Sequence, residues 1–289
     1  VSSKKAYRPY PADGAEFLAT DVKLSWTGGL GSKLHYIFIG ESFEEVNAAT
    51  AGIPAVTTNY TPSGLELGKT YFWRIDEFDG ATTHKGDIWS FKTLPNISVT
   101  DPNLLGWWKL DEGSGVMALD GSGYGNHGTL MRNPQWITGH DGDALEFNGA
   151  GAYVDCGNAE VLNVDVFSVS FWCNIPSTQT WNHMISKGQH GASGSPGSVN
   201  WGVMMYESQE TILFETFNDT TWTGISADTT LGQWHHVVAT FDGDMMQLYH
   251  DGELAASTTG AGVLLDPSRP FLIGARSDAG SAGGFFTGS

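Results

Sequence analysis

The run from residue 233 to residue 257, QWHHVVATFDGDMMQLYHDGELAAS, constrains the fold more than any other stretch of this sequence. It contains two Asp-Gly dipeptides, Asp242-Gly243 and Asp251-Gly252, each flanked by segments in which apolar and polar residues alternate. Asp-Gly is one of the strongest short-range signals for a two-residue β-hairpin turn, because both central residues of that turn need a positive φ. The run therefore predicts three consecutive antiparallel strands.

The same run contains two adjacent histidines, which could be half of a metal site, part of a catalytic group, or strand residues. Successive side chains of a strand point to opposite faces. His235 therefore shares a face with Val237, and His236 shares the other face with Trp234. Histidines on opposite faces cannot chelate one metal ion or relay one proton, and Asp242 is explained by the turn alone. We interpret the pair as sheet architecture.

Composition agrees with a protein of many short strands, since 38 glycines and 11 prolines in 289 residues supply many turns. A formal net charge of -18 argues against nucleic acid as a partner, because phosphate neutralisation needs clustered Lys and Arg. Anionic membrane surfaces are disfavoured for the same reason. No apolar run reaches the roughly 18 residues of a membrane helix. The amino terminus lacks a signal-peptide core and a starting Met, so a processed or excised chain is expected.

The first 95 residues alternate between short apolar-patterned segments and turns. Two segments have three large apolar residues in phase on one face, namely Val22, Leu24 and Trp26 in the first and Tyr71, Trp73 and Ile75 in the second. In a later segment, Ile88 and Phe91 are out of phase, which predicts a β-bulge. About seven strands with frequent turn signals over about ninety residues indicate a β-sandwich.

This region resembles a fibronectin type III domain. The segments that carry the resemblance are PYPADGAEFLATDVKLSWTGG, LELGKTYFWRIDEFDG and KGDIWSFKT. Trp26 matches the strand-B tryptophan of that family. Leu67 and Tyr71 match the corner where a tyrosine hydroxyl ties a loop to the sheet. The resemblance covers roughly residues 8–95, and no Arg-Gly-Asp sequence supports an integrin partner.

The segment PNISVTDPN, which carries two prolines and no strong apolar pattern, marks a domain boundary. We place the first domain at residues 1–95, the linker at 96–103 and the second domain at 104–289. The second domain has longer strands with glycine-rich joints, including LLGWWKLDEGSG, ALEFNGAGAYVDCG, FSVSFWCNIP and PFLIGAR. Their ordered succession resembles the laminin-G-like, concanavalin A-like jelly-roll family. The fold class that follows is all-β, with two β-sandwiches.

That resemblance implies two antiparallel sheets packed face to face. Family members continue beyond a segment like FFTG into a last strand. Because the given sequence stops at Ser289, the second sandwich is expected to lack that strand. An open sheet edge is a pairing hazard. Either a continuation of the chain or a neighbouring molecule is therefore expected to fill the place.

No catalytic constellation is evident, and we predict that the chain is not an enzyme. Hydrolysis of a glycosidic bond needs two placed carboxyl groups. Glu207, Glu210 and Glu215 lie near a predicted strand but lack the dense Glu-x-Asp-x-x-Glu spacing of concanavalin A-like glycosidases. The serines of GASGSPGS form no Gly-x-Ser-x-Gly elbow. GSGYG is followed by no helix or basic residue that would hold phosphate.

The loop ALDGSGYGNHG (118–128) is the best sequence candidate for a metal site. Asp120 and Asn126 bracket small and flexible residues, so that side-chain and carbonyl oxygens can converge. Ca²⁺ takes six to eight oxygen ligands, which suits such a loop. The corresponding loop often holds calcium in the family that the domain resembles. The alternative is a tight Gly-Asn turn that needs no ion.

Eleven tryptophans raise the possibility of carbohydrate binding, because apolar faces of sugars stack on exposed aromatic rings. Trp181, Trp201 and Trp222 lie near loops or strand ends among polar residues, and they are the candidate ligand-binding residues. The segment 187–202 is expected to form a rim beside them. For each tryptophan taken alone, buried packing is the competing interpretation, as it is for Trp172 and Trp234 in predicted strands.

The two cysteines, Cys156 and Cys173, lie in predicted strands, and the sequence leaves open whether they pair. Neither has the spacing of a zinc site. Asn-x-Ser/Thr sequons at Asn59, Asn96 and Asn218 are weak support for secretion.

The function expected from these features is that of an extracellular or cell-surface, non-catalytic binding or adhesion module. Its expected partner is a glycan or surface polymer, with Ca²⁺ as the candidate cofactor. One alternative is a structural subunit of a surface layer, matrix or filament, assembled with neighbouring subunits by strand exchange. Another is a pair of accessory domains of a secreted glycoside-cleaving enzyme.

Overall fold

The computed structural model of the chain describes residues 3–178, 181–188, 201–206, 210–218, 220–278 and 281–289. The chain divides into two compact units, Val1–Asn96 and Ile97–Ser289, each with its own hydrophobic core. In the described part of the chain, no helix has the length and apolar character needed to cross a bilayer. The predicted all-β class is confirmed.

The first unit is a β-sandwich with one short helix. Its elements are β1 (Tyr7–Tyr10), β2 (Ala15–Leu18), β3 (Leu24–Thr27), β4 (Leu34–Gly40), α1 (Phe43–Ala48), β5 (Ile53–Ala55), β6 (Asn59–Tyr60), β7 (Thr70–Phe78), β8 (Thr83–His84) and β9 (Ile88–Thr93). One sheet has the order β1-β3-β6, and the other has the order β2-β9-β7-β4-β5, with β8 paired to β7. Helix α1 begins after Ser42, whose side chain accepts a hydrogen bond from the Glu45 backbone N–H.

The core of the first unit follows the predicted alternation in β3 and β7. Leu24 and Trp26 are buried on β3, and Trp73 and Ile75 are fully buried on β7. Strand β9 differs from the prediction, because it pairs with β7 in regular register without a bulge. Its inward residues are Trp89, Phe91 and Thr93, so the out-of-phase Ile88 is only half-buried.

A tyrosine hydroxyl ties a loop to the sheet of the first unit. The Tyr71 hydroxyl accepts a hydrogen bond of 2.9 Å from the backbone N–H of Glu66. This contact is the one expected from the sequence at the corner before β7. Membership of the fibronectin type III family stays a prediction.

The second unit contains the remaining strands and one 3₁₀ turn, Glu160–Leu162. Its strands are β10 (Met117–Ala118), β11 (Gly128–Met131), β12 (Gln135–Thr138), β13 (Asp143–Asn148), β14 (Tyr153–Asp155), β15 (Phe167–Asn174), β16 (His183–Lys187), β17 (Trp201–Met205), β18 (Thr211–Phe217), β19 (Trp222–Asp228), β20 (Trp234–Phe241), β21 (Met245–His250), β22 (Glu253–Thr259), β23 (Phe271–Ile273), β24 (Arg276–Asp278), β25 (Ser281–Gly283) and β26 (Thr287–Gly288).

Two large antiparallel sheets enclose the core of this unit. The eight-stranded sheet has the order β10-β11-β14-β23-β16-β17-β18-β19, and the four-stranded sheet has the order β15-β20-β21-β22. Val203 and Phe214 from the first sheet belong to one buried cluster with Val237, Phe241 and Leu248 from the second. The short sheets β12-β13-β26 and β24-β25 complete the unit.

The predicted double hairpin is present as β20, β21 and β22. At its second turn, Asp251 and Gly252 have φ values of 51° and 87°, as a type I′ turn requires. At its first turn, the Asp242 carboxylate accepts hydrogen bonds from the backbone N–H groups of Asp244 and Met245. Both aspartates therefore hold turns, and the alternating burial of β20 places His235 inward.

Strand β15 forms one edge of the four-stranded sheet. Within the described residues it pairs along its length with β20 alone. Its last residue, Asn174, also exchanges two backbone hydrogen bonds with Ser289, at 2.7 and 3.1 Å. Beyond that bridge, the outer edge of β15 has no strand partner in the part of the chain that the structure describes.

Both cysteines are buried as free thiols in the core of the second unit. Burial raises the pKa of Cys173 to about 12 and raises the pKa of Cys156 well above its ordinary value. Since the thiolate is the reactive form, both groups are structural.

Candidate functional site

Strands β16, β17 and β18 are interior strands of the eight-stranded sheet and are covered on both faces. Every residue of β16 and β17 is buried, although alternate residues point away from the core. On the face away from the core, Glu215 of β18 lies between Gly202 of β17 and Gly224 of β19 in the strand register. Neither neighbour has a side chain, and the His183 ring packs beside Gly202, where an added Cβ atom would lie 2.9 Å from His183 Cδ2.

Glu215 is a buried carboxyl group without a hydrogen-bond partner among the described residues. Its exposed fraction is 7%, and its Oε1 atom accepts no hydrogen bond there. Burial raises the pKa of Glu215 to about 7, and the Arg276 guanidinium acts in the opposite direction. The group therefore changes charge near neutral pH, which is typical of functional sites.

Arg276 comes from the β24–β25 hairpin. Its Nε atom donates a hydrogen bond of 2.8 Å to Asp278 Oδ1 on the same strand, and both side chains are partly exposed. Gly284, with φ of +54°, packs against Arg276 and against the Trp181 carbonyl. A Cβ atom at Gly284 would lie 2.9 Å from that carbonyl oxygen and 3.1 Å from Arg276 Cδ. The glycine thus allows Arg276 and Trp181 to lie close together.

Trp181 and Tyr206 form a half-buried aromatic pair beside this hairpin. Their rings meet edge to face, with centroids 5.1 Å apart and planes at 89°. The Trp181 backbone N–H donates to the carbonyl of Met205, which links the loop before β16 to the end of β17. The site therefore combines an aromatic pair with a guanidinium and a carboxylate, and these groups can contact both apolar and hydroxyl surfaces of a ligand.

The three tryptophans predicted to bind ligand do not form one surface. Trp201 is buried, with 3% exposure, and stacks on Phe167 at 4.4 Å in the core. This corrects its expected role, because a core side chain offers no ring face to a sugar. Trp222 is exposed and stacks on Phe217, at the strand ends opposite to those near Trp181. Along β18 that separation is about five residues, or roughly 16 Å.

Sequence reasoning missed Tyr206, Arg276 and Asp278. Arg276 was visible only as the end of the PFLIGAR segment, and its partner Asp278 lies two residues beyond. The sequence places Glu215 near a strand, but only the strand register shows that Gly202 and Gly224 lie opposite it. Of the expected rim, residues 189–200 lie outside the described residues, as does Glu207.

Trp172 is more exposed than its strand position suggested. It lies on β15 with an exposed fraction of 46%. His140 stacks on it at 3.7 Å, and His236 lies 5.2 Å away, where it also contacts the Ser170 hydroxyl. His140 thus covers one face of the Trp172 ring, and His236 packs near the ring at an angle of 34°.

The loop of Asp120 and Asn126 does not fit Ca²⁺. Asp120 is fully buried, and its two carboxylate oxygens accept four hydrogen bonds of 2.8 to 2.9 Å. The donors are the backbone N–H groups of Trp107, Ser122 and Asn126 and the Ser122 hydroxyl. Since these donors direct hydrogen atoms at the carboxylate, a cation would face positive ends of dipoles. The arrangement is a hydrogen-bonded turn.

A comparison with known protein families matches residues 148–289 of the second unit. The sequence model of the Concanavalin A-like lectin/glucanases superfamily matches residues 148–289. Residues 148–289 form a concanavalin A-like domain. Its two packed antiparallel sheets agree with that assignment. No curated protein matches the sequence significantly.

Three solved structures are similar to this chain at low sequence identity. One is domain 4 of AbnA, a GH43 extracellular arabinanase from Geobacillus stearothermophilus, in complex with arabinotriose. It has 17% identity and a TM-score of 0.44, covering 58% of this chain and 83% of that one. Trypanosoma rangeli sialidase has 13% identity and a TM-score of 0.47, covering 75% of this chain and 39% of the sialidase. The carbohydrate binding module CBM66 from Bacillus subtilis has 13% identity and a TM-score of 0.28, covering 50% of this chain and 85% of the module. With TM-scores below 0.5, these likenesses carry no argument about what this chain binds.

Proposed function

We propose that the concanavalin A-like domain is a non-catalytic glycan-binding module of an extracellular or cell-surface protein, with the first unit as a spacer. The binding surface is the group of Trp181, Tyr206, Arg276 and Asp278, which we call the Trp181 site. The lectins in the name of the matched superfamily support a glycan as the class of ligand. The chain's own residues supply the rest of the argument.

The proposal rests on the half-buried Trp181–Tyr206 pair and the Arg276–Asp278 pair. The two pairs approach each other at Gly284, which packs against both the Trp181 carbonyl and the Arg276 side chain. C–H faces of a pyranose or furanose ring pack on aromatic rings, which bury large areas at little conformational cost. Sugar hydroxyls accept hydrogen bonds from a guanidinium and donate to a carboxylate. A site with both features binds a ligand that is apolar on one face and hydroxylated around its rim.

The charge of the chain narrows the class of glycan. With a formal net charge of -18, long-range repulsion disfavours sulfated or otherwise polyanionic polymers. Arg276 is already paired with Asp278, so it is neutralised locally. We therefore expect neutral oligosaccharides to bind better than polyanionic ones.

We expect the domain to be non-catalytic, although the pKa of Glu215, about 7, would suit a general acid. Glycoside hydrolysis needs a second carboxyl group at a matched distance from the first. Glu215 itself is 7% exposed, so substrate would have little access to it. If the wild-type chain released reducing ends from a bound oligosaccharide and Glu215→Gln did not, the domain would be a glycosidase and not a binding module.

The experiment is a titration of the chain with a panel of neutral and sulfated oligosaccharides, by calorimetry or on a glycan array. For a neutral oligosaccharide that binds, Trp181→Ala should weaken affinity by at least about tenfold, or about 1.4 kcal/mol. Trp222→Ala is the matched control, because Trp222 is exposed at the far strand ends and should leave affinity unchanged. Equal affinity in Trp181→Ala and wild type would reject the Trp181 site.

A second candidate function, assembly with neighbouring subunits, is favoured by the outer edge of β15. Beyond the Asn174–Ser289 bridge, that edge has no strand partner among the described residues. An extended segment of another molecule could add a strand there. Light scattering over a range of protein concentrations tests this assembly. The molar mass should rise with concentration if chains assemble, and a constant monomer mass would exclude assembly.

A further inference from the structure

A cluster of two histidines and one aspartate lies at the open end of the β20–β21 hairpin, in the sheet that does not carry the Trp181 site. His235 is on β20, His250 ends β21, and Asp251 begins the turn. Each of the three residues offers one ligand atom, and these three atoms all lie within 4.8 Å of one another. Asp251 Oδ2 is 2.7 Å from His235 Nδ1 and 3.5 Å from His250 Nδ1. The imidazole rings lie side by side, with centroids 4.6 Å apart.

The ring nitrogens that face away from Asp251 are held by two consecutive threonines. His235 Nε2 lies 3.1 Å from the Thr230 carbonyl and 2.9 Å from the Thr230 hydroxyl. His250 Nε2 lies 3.1 Å from the Thr229 hydroxyl. Each ring can therefore donate its Nε2–H to a threonine oxygen while its Nδ1 carries a lone pair toward Asp251. Histidines that bind metals almost always have such an oxygen on their second nitrogen.

The carboxylate is oriented in the same way. Asp251 Oδ1 accepts a hydrogen bond of 2.9 Å from the His236 backbone N–H, which leaves Oδ2 directed at the two rings. His235 is buried, whereas the Asp251 side chain is 47% exposed. The cluster is thus fixed from inside the domain and open to solvent on one side, where a water molecule can complete a coordination shell.

We propose that His235 Nδ1, His250 Nδ1 and Asp251 Oδ2 bind one divalent transition-metal ion, of which Zn²⁺ is the best match. Two imidazole nitrogens and one carboxylate oxygen suit Zn²⁺, with ligand bonds of about 2.0–2.2 Å and a fourth position for water. Ca²⁺ is a poor match, because it prefers six to eight oxygen ligands. The ion replaces the proton shared between His235 Nδ1 and Asp251 Oδ2. These two atoms therefore move apart by a few tenths of an ångström from their distance of 2.7 Å.

The alternative for this cluster is a metal-free hydrogen-bonded link that holds the hairpin to the Thr229–Thr230 loop. Titration of the full chain with Zn²⁺, after treatment with a chelator and in a non-chelating buffer, separates the two. We expect saturable binding of one Zn²⁺ per chain, a higher melting temperature with Zn²⁺, and no displacement by excess Ca²⁺. Absence of saturable Zn²⁺ binding, or displacement by Ca²⁺, would overturn the proposal.

Two variants locate the ion. Asp251→Asn keeps the size of the side chain and suits the positive φ of 51°, and His250→Gln removes one imidazole from a partly buried position. Each should weaken Zn²⁺ binding by at least about tenfold. Loss of a residue that only supports a metal ligand already lowers metal affinity by about 10–100-fold, and loss of the ligand itself should lower it at least as much. His236→Gln is the matched control, because His236 points to the opposite face and contacts Ser170. Loss of binding in the control, or retention in both test variants, would contradict the assignment.

A measurement on the unmodified chain covers the case in which a variant does not fold. Long-range ¹H–¹⁵N spectra of the imidazole rings report which nitrogen binds the ion. Zn²⁺ should shift the Nδ1 resonances of His235 and His250 and leave those of His236 unchanged. Shifts confined to other histidines would place the ion elsewhere and overturn the proposal.

Discussion

Glu215 couples the stability of the concanavalin A-like domain to pH. Its pKa is about 7 in the folded chain and 4.5 ordinarily, because burial disfavours the charged form. Between these two values the unfolded chain releases the proton and the folded chain keeps it. The free energy of unfolding therefore falls as pH rises from about 4.5 to about 7, and the loss is complete above that range.

Glu215→Gln should remove this pH dependence. We expect the variant to be more stable than wild type at pH 8 by up to roughly 3 kcal/mol, with the difference vanishing near pH 4.5. Urea unfolding at a series of pH values measures it. Glu210→Gln is the control, since Glu210 is exposed. An unchanged pH profile in Glu215→Gln would mean that another group controls it.

Arg74 holds helix α1 to the sheet of the first unit. It is 1% exposed, donates to Asp76 at 2.8 and 3.1 Å, and donates to the carbonyl groups of Asn47 and Ala49 at 3.0 and 2.9 Å. Arg74→Met should lower the free energy of unfolding by about 3–5 kcal/mol, because the Asp76 charge stays buried without its partner. Lys92→Met, at an exposed position of β9, should change it by less than about 0.5 kcal/mol. Chemical denaturation compares them, and similar losses would refute the role of Arg74.

At the scale of elements, the position of a strand in its sheet decides what a tryptophan does. Trp201 lies on the interior strand β17, and Trp222 lies on the edge strand β19. Trp201→Ala should cost about 3–5 kcal/mol, because it leaves a cavity in the core. Trp222→Ala should cost much less, since that ring keeps 36% of its surface in water before substitution. Thermal or urea unfolding distinguishes the two, and equal costs would contradict the burial of Trp201.

The hairpins show which elements can be predicted from local sequence. Asp251-Gly252 needs only its own backbone to form a turn, and strand alternation then places His235 inward. The same rule correctly separated His235 from His236. It did not find the partners of His235, because His250 and Asp251 are brought to it by pairing of β20 with β21.

At the scale of the whole molecule, each unit has a separate hydrophobic core. Fragments 1–96 and 97–289 should therefore each fold alone and unfold cooperatively, as expected for domains of this size. Circular dichroism with thermal and urea melting of the separate fragments measures this. A fragment that lacks a cooperative transition would show that the units depend on each other.

The sequence by itself determined the all-β class, the hairpins of β20, β21 and β22, and the inward faces of β3 and β7. These features depend on the period of two along a strand and on turn residues that act locally. The ordered set of segments placed a jelly-roll domain at residues 104–289, and the superfamily model matches residues 148–289 of it.

Only the tertiary structure decided which side chains the solvent and a ligand can reach. Trp201 is buried because both faces of β17 are covered, and the donors around Asp120 come from backbone groups that the fold brings together. Glu215 has no side chain directly opposite it on either neighbouring strand, because Gly202 and Gly224 lie at those register positions. Each of these outcomes depends on contacts between segments distant in sequence, and local periodicity cannot encode them.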